Sequence, residues 1–398
     1  MYKHKLKIVA LVVSTLLLLM LAACGSDTAG TDSSSNGNAG SDDSIKIGMV
    51  SFLSGAGAPW ANSLGNAGEL AVQEINENGG VMGKPVQLII NDSNSDPATG
   101  NVQANSLIER DEIVALFTAD TSATRNALYP IINQAQIPFF YTLVYEGEEY
   151  LKYMYVNGAV PKQIIEPVIP YLVENEGANS WYIIGNDYVF PQNTAEAAKR
   201  EIEKLGGTIV GEDFAPMGTS DFSSILAKID AAKPDFILQI LVGSDAVSFL
   251  NQFDAQGLHQ QTKILGVAID ENSVQAMGSS ANGIFSTGEY FQSIDTPENV
   301  AFTNNYKEVF GENADLQSFM SIGIYEAIHM WALAANKAQS LDWEKIDEVI
   351  GDIVFEGPRG AVQYETETNH ASLPIYLTQV VNGELKIVES FGIVEPVE

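Results

Sequence analysis

The run Thr118-Ala119-Asp120-Thr121-Ser122-Ala123-Thr124-Arg125 follows an apolar stretch, residues 113–117, and crowds hydroxyl side chains where a helix begins. The first amides of a helix have no partner inside it and carry partial positive charge. This junction can therefore hold a carboxylate, or the carbonyl of an amide. Thr121 or Ser122 can also cap the helix, and the two roles are compatible. Two more runs follow apolar stretches in the same way. Tyr141-Thr142-Leu143-Val144-Tyr145-Glu146-Gly147-Glu148-Glu149 comes after residues 138–141, and Gly185-Asn186-Asp187-Tyr188-Val189-Phe190-Pro191 comes after residues 180–184. Aromatic rings at such positions can wall a small molecule while a Tyr hydroxyl orients it.

Covalent chemistry has no comparable support. Gly55-Ala56-Gly57 lacks the third glycine of a dinucleotide fingerprint, with Pro59-Trp60 standing nearby instead. In Gly79-Gly80-Val81-Met82-Gly83-Lys84-Pro85, a proline occupies the place of the Ser/Thr that would hold magnesium, so the run reads as a helix stop and turn. Neither G-x-S-x-G nor H-E-x-x-H occurs, and His259, His329 and His370 lie far apart. Carboxylate pairs such as Glu148-Glu149 are what an acidic chain contains by composition. The single Cys excludes an internal disulfide and a Cys-based zinc cluster, and no D-x-D-x-D-G calcium loop is present. The expectation is a protein that is not an enzyme, with no catalytic residue, no metal site and no cofactor.

The elements that position these runs alternate along the chain. Strand-like stretches at 45–52, 86–91, 113–117 and 138–141 are separated by helical ones at 62–78, 97–110 and 124–134. In the first helix Leu64, Ala67, Ala71 and Ile75 recur at helical spacing, and Gly79-Gly80 ends it. A second series follows Asn157: helix 161–174, strand 180–184, helix 193–205, strand 208–214, helix 222–231, strand 236–241, helix 245–256. Beyond Gly283 the rhythm changes to a long helix at 318–338 and β-like runs at 360–364, 374–381 and 385–391. This pattern predicts an α/β chain of two lobes on one plan, each a parallel sheet with helices on both faces. A length of 398 residues is itself long for one domain. If the late helices return to the first lobe, lobe 1 comprises 45–158 plus about 291–351 and lobe 2 comprises 159–290 plus about 352–398. Three crossings between lobes then make a hinge.

The formal charge of -31 repels phosphate backbones, so nucleic acid is not an expected partner. Lys3, Lys5 and Lys7, an apolar run over 8–20 and Leu21-Ala22-Ala23-Cys24 read as a secretory signal peptide over residues 1–23. Its end resembles a bacterial lipobox, which would leave Cys24 as the lipid-bearing first residue of an extracytoplasmic chain. Residues 24–44, rich in Gly, Ser, Asn and Asp, read as a flexible tether to the membrane.

The runs Thr121-Ser122-Ala123-Thr124-Arg125, Tyr145-Glu146-Gly147-Glu148-Glu149, Gly185 to Pro191, Ser293-Ile294-Asp295-Thr296-Pro297, Phe355-Glu356-Gly357-Pro358-Arg359-Gly360 and Asn369-His370 together carry a resemblance. The chain resembles the type I periplasmic-binding-protein superfamily, in particular its short-chain amide and urea-binding branch. That resemblance implies two Rossmann-like lobes joined by a multi-crossover hinge. It also implies ligand contacts at Ser122, Tyr141 and Tyr188, with Asp120 and Thr121 beside them and Thr142 and Phe190 in the same runs. Leu241-Val242-Gly243 matches another cleft segment, which adds Val242 and Gly243. Leu143 and Phe190 stand where amide sensors of the branch tend to carry Thr and Tyr, implying a less polar pocket. The function implied is a lipid-anchored substrate-binding protein of an ABC importer that delivers a small amide, urea or amino acid to permease subunits. Two alternatives remain open. A branched-chain amino-acid receptor would use Thr121 and Ser122 for the carboxylate and Asp187 or Asp245 for the ammonium. A sensor would bind ligand without transport.

Overall fold

The computed structural model describes residues 43–147, 150–267 and 269–396. The signal segment, Cys24, nearly all of the tether and the pair Glu148-Glu149 lie outside the described residues.

The chain opens with β1 (Ile45–Ser51), which is buried almost without alternation, as a strand covered on both faces must be. A short 3₁₀ turn, Gly55–Trp60, leads into α1 (Ala61–Glu77). Then come β2 (Val86–Asp92), α2 (Pro97–Glu109), β3 (Leu116–Thr118), α3 (Ser122–Ala135), β4 (Phe139–Tyr141) and β5 (Met154–Val156). Leu64, Ala67, Leu70, Ala71 and Ile75 bury one face of α1. The helix stops at Gly79-Gly80: Gly80 has φ +75°, and a Cβ there would stand 1.9 Å from the Lys84 carbonyl oxygen. All five strands are parallel, in the order β2-β1-β3-β4-β5.

The second lobe repeats that plan. It takes α4 (Pro161–Ile165), α5 (Val168–Glu176), β6 (Ser180–Asn186), α6 (Val189–Lys204), β7 (Thr208–Ala215), α7 (Ser223–Ala232), β8 (Phe236–Ile240), α8 (Gly243–Ala255), β9 (Lys263–Val267), α9 (Glu271–Met277) and β10 (Phe285–Gly288). Its parallel strands run β7-β6-β8-β9-β10, so the first strand of each lobe has its second on one side and its third on the other. Each sheet therefore has a switch point, between β1 and β3 and between β6 and β8, where the carboxyl ends open a crevice. The helix expected over 161–174 is two helices. Pro167 lacks an amide proton and its ring crowds the preceding turn, which separates α4 from α5.

The chain then returns to the first lobe as α10 (Pro297–Phe310), α11 (Phe319–Ala338) and α12 (Trp343–Ile350), with α11 lying along α1. It ends in β11 (Phe355–Gly357), β12 (Gly360–Tyr364), β13 (Ala371–Val381) and β14 (Glu384–Val394), an antiparallel extension of the second sheet.

Three segments cross between lobes, after β5, after β10 and after α12, and buried polar groups stitch them together. The Ala159 amide donates to Glu289 Oε1 (3.2 Å). Arg359, in the β11–β12 turn, donates through Nε to Glu326 Oε2 on α11 (2.5 Å) and lies 3.8 Å from Glu289 Oε1. All three side chains are fully buried. Two carboxylates share one guanidinium away from water. Burial consequently pushes Glu326 up to about 7 against the opposing pull of Arg359, and raises Glu289 as well.

Glu326 holds its proton more tightly in the folded chain than at its ordinary value of 4.5. The stability linked to that proton is fully present below 4.5 and is lost as pH rises through about 7. Glu326→Gln keeps the shape without the titration and should flatten the fall in melting temperature over that window. A variant with the wild-type slope would refute this.

Candidate ligand-binding cleft

Loops from the carboxyl ends of both sheets, together with the start of α11, enclose an apolar cavity of about 100 Å³. The first lobe contributes Phe52 and Trp60 after β1, Ser95 after β2, Thr121 after β3 and Leu143 after β4. The second contributes Tyr188 and Phe190 after β6, Met217 after β7, and Val242 and Gly243 after β8. Phe52 meets Trp60 edge-on at 6.0 Å, and Tyr188 lies 6.3 Å from Phe190, so aromatic pairs wall the cavity from both lobes. Among the described residues, no Asp, Glu, Lys or Arg lines it. It is small beside the roughly 300–1,000 Å³ of pockets that take drug-sized ligands.

The N-terminus of α3 supplies the polar end. Thr121 is its cap, accepting from the Thr124 amide at 3.3 Å, and its own amide donates to Asp120 Oδ1 (2.7 Å). Asp120 also accepts from Ser93 Oγ (2.5 Å), and burial raises its carboxyl above the usual range. The first-turn amides of Ser122 and Ala123 are not consumed by the helix and are available to an acceptor.

Behind this terminus sits a buried polar shell. Ser122 Oγ donates to Glu146 Oε2 (2.5 Å), and Arg125 pairs with Glu146 Oε1 (2.7 Å) with both side chains almost wholly buried. The guanidinium lies over the Tyr145 ring (4.6 Å) and the Tyr141 ring (5.3 Å). Tyr141 donates its hydroxyl to the Asp120 carbonyl (2.7 Å). Burial and the Glu146 charge raise the Tyr188 phenol above its ordinary value. His370 gives Nδ1–H to the Thr368 carbonyl (2.7 Å), leaving Nε2 to accept from Tyr145; burial lowers it to about 4, so the ring is neutral.

The structure thus brings Thr121, Tyr188, Phe190, Val242 and Gly243 together around the cavity. Ser122, Tyr141 and Thr142 stand apart from its wall. The first two spend their hydroxyls on Glu146 and Asp120, and Thr142 Oγ1 donates to the Thr118 carbonyl (3.3 Å). These side chains lie behind the terminus, with their hydroxyls engaged inside the first lobe. Neither acid considered for an ammonium lines the cavity: Asp245 accepts from Asn186 Nδ2 (2.8 Å) and the Gly218 amide (2.9 Å), and Asp187 accepts from Gln192. Sequence reasoning missed Phe52, Trp60 and Ser95, although their places after strands offered the same signal. It also missed Phe319 and Met320, whose signal is invisible until α11 returns to the first lobe. A larger, open cavity of about 640 Å³ beside α4 and α6 is walled by Glu146, Gly147 and Tyr150 from the segment after β4, by Val160 after β5, and by charged groups including Lys162, Glu196 and Arg200.

The cavity thus lies between two equivalent α/β lobes, at the switch point of each. The chain matches the periplasmic binding protein family over residues 44–384 and belongs to it. It is therefore a binding protein of the periplasmic kind. It is 25% identical over 355 residues to a Leu/Ile/Val-binding protein homolog of Brucella melitensis, covering 86% of this chain and 89% of that one. Its fold is shared with an ABC-transporter solute-binding protein of Rhodopseudomonas palustris solved with 3,4-dihydroxybenzoic acid (TM-score 0.81, 24% identity, 89% and 98% of the two chains). It is also shared with the branched-chain amino-acid protein LivJ of Streptococcus pneumoniae solved with isoleucine (TM-score 0.77, 22% identity, 89% and 100%). None of these is an enzyme by description.

Removing the Glu146 carboxylate takes one buried acceptor from both the Arg125 guanidinium and Ser122 Oγ. Glu146→Ala should lower unfolding free energy by about 2–3 kcal/mol in a urea titration. A loss below about 1 kcal/mol, the worth of an exposed pair, would contradict the buried role.

Proposed function

We propose that the protein captures a small, mainly apolar solute bearing one carboxylate or amide head, and delivers it to the permease of an ABC importer. The observation that carries this reading is the cavity wall: aromatic and aliphatic side chains, the hydroxyl-capped N-terminus of α3 and, among the described residues, no charged side chain. A carboxylate or carbonyl oxygen would accept from the Ser122 and Ala123 amides, with Thr121, Ser95 and the Tyr188 hydroxyl beside it. The ammonium of an amino acid would shed its water there without a counter-charge, at a cost of several kcal/mol. Urea would leave the apolar walls unused. The hydroxybenzoate-bound relatives favour the same chemistry more than the isoleucine-bound one.

In this reading 45–158 with about 291–351 forms lobe 1 and 159–290 with about 352–398 forms lobe 2. The open form admits the solute and the closed form buries it. Leu21-Ala22-Ala23-Cys24 supports attachment of the mature chain to the membrane through lipid on Cys24. No described helix is long and apolar enough to cross a membrane.

Thermal shift against benzoate, 4-hydroxybenzoate, isobutyrate, isobutyramide, isoleucine and urea tests the ligand class. A binder at 100 times its Kd should add about 2.7 kcal/mol. Acids or amides are expected to raise the melting temperature, and isoleucine and urea are not; a response to isoleucine alone would overturn the class. Thr121→Val and Tyr188→Phe should each weaken binding about tenfold, the worth of one hydrogen bond. Cys24→Ala should abolish incorporation of radiolabelled palmitate, and persistent labelling would exclude the anchor.

A further inference from the structure

Asp270 follows β9 in the second lobe, caps α9 and is fully buried without lining the cavity. Its two carboxylate oxygens do different things. Oδ1 accepts from the Ser273 amide (2.9 Å) and hydroxyl (2.7 Å), both within its own lobe. Oδ2 accepts from the indole Nε1 of Trp60 at 2.6 Å, and Trp60 belongs to the 3₁₀ turn of the other lobe, 210 residues away. Trp60 is itself a cavity wall. Two residues further on, Asn272 Nδ2 donates to the Leu316 carbonyl ahead of α11 (3.1 Å), a second contact across the same seam.

We propose that Asp270 is the positioning residue of the closed form, latching the Trp60 ring over the bound solute from the opposite lobe. The proposal rests on the reading that the lobes close around a solute. When the lobes part, the indole N–H and Oδ2 separate and return to water, so the bond exists only in the closed form. The cap to Ser273 survives in both forms. A charge-assisted hydrogen bond in a dry seam is stronger than a neutral one, and burial raises the Asp270 carboxyl, so an unlatched closed form would bury a poorly partnered acid. The residue type follows from this division of labour. A carboxylate accepts on both oxygens; an amide has one acceptor, and Asn at this position could cap α9 or latch Trp60 but not both.

Asp270→Asn therefore separates the latch from the cap. In the full chain with no solute added, where the closed form already carries the bond to Trp60, hydrogen–deuterium exchange should quicken several-fold in peptides covering 52–64 and 263–277, the two sides of the seam, while the melting temperature stays at the wild-type value because Asn caps as well as Asp. With whichever of the six probes binds the wild type, dissociation should be about 10–100-fold faster and association unchanged. Trp60→Phe, which keeps a ring but removes the donor, should match it, and the double variant should be no worse than either single one. Wild-type exchange in both single variants overturns the latch whether or not a solute is known. A lowered melting temperature with wild-type exchange also overturns it, in favour of a capping role alone. A wild-type protein that binds none of the probes but shows the exchange difference overturns the ligand class and leaves the latch standing.

Discussion

Arg125 and Glu146 are buried as a pair behind the cavity, and the geometry of the first lobe's binding wall follows from them. A guanidinium out of water needs its counter-charge and aromatic faces, which Glu146, Tyr141 and Tyr145 supply. Glu146 in turn holds Ser122, and Tyr141 holds the carbonyl of Asp120, so both residues flanking Thr121 are clamped from behind. The N-terminus of α3 is thereby aimed at the cleft before any solute arrives, and little ordering cost is left for the moment of binding.

The same clamp reaches the second lobe. Tyr145 meets His370, which lies just ahead of β13, and the Val156 amide donates to the Asn369 carbonyl, so the shell behind the cavity touches the β12–β13 connection directly. The first two crossings are joined by Ala159 and Glu289, and Arg359 links the second and third to α11. Buried ionic groups of this kind contribute little net stability because desolvation offsets their attraction. Their geometric demands are strict, however, which suits a hinge that must bend without its three strands sliding past one another.

Charge is distributed with the same economy. A chain with formal charge -31 lines its cleft with no charged side chain among the described residues, so the acids lie outside the cavity. In the proposed function an apolar cavity selects by desolvation: groups that lose water must find a partner, and the helix amides and hydroxyls at its polar end suit an acceptor oxygen better than an ammonium.

What the sequence determined alone was whatever depends on neighbours in the chain. Helical spacing in α1, its stop at Gly79-Gly80, the apolar strands and the hydroxyl-rich start of α3 are local, and so the two-lobed α/β plan was legible. So was the part of the cavity wall at Thr121, Tyr188, Phe190, Val242 and Gly243, because strand ends announce themselves. Short strands such as β5 and β10 were not legible, since three or four residues carry no period; β3 and β4, equally short, were read only from the apolar runs 113–117 and 138–141. Only the tertiary structure decided which hydroxyls face the cleft. Ser122 and Tyr141 have the right chemistry and the right position in the chain, but Glu146 and the Asp120 carbonyl reach them first. It also decided that Trp60 meets Asp270 and that α11 closes the cavity with Phe319 and Met320. Contacts between residues some 200 positions apart are set by how two lobes pack, and no local pattern along the chain encodes them.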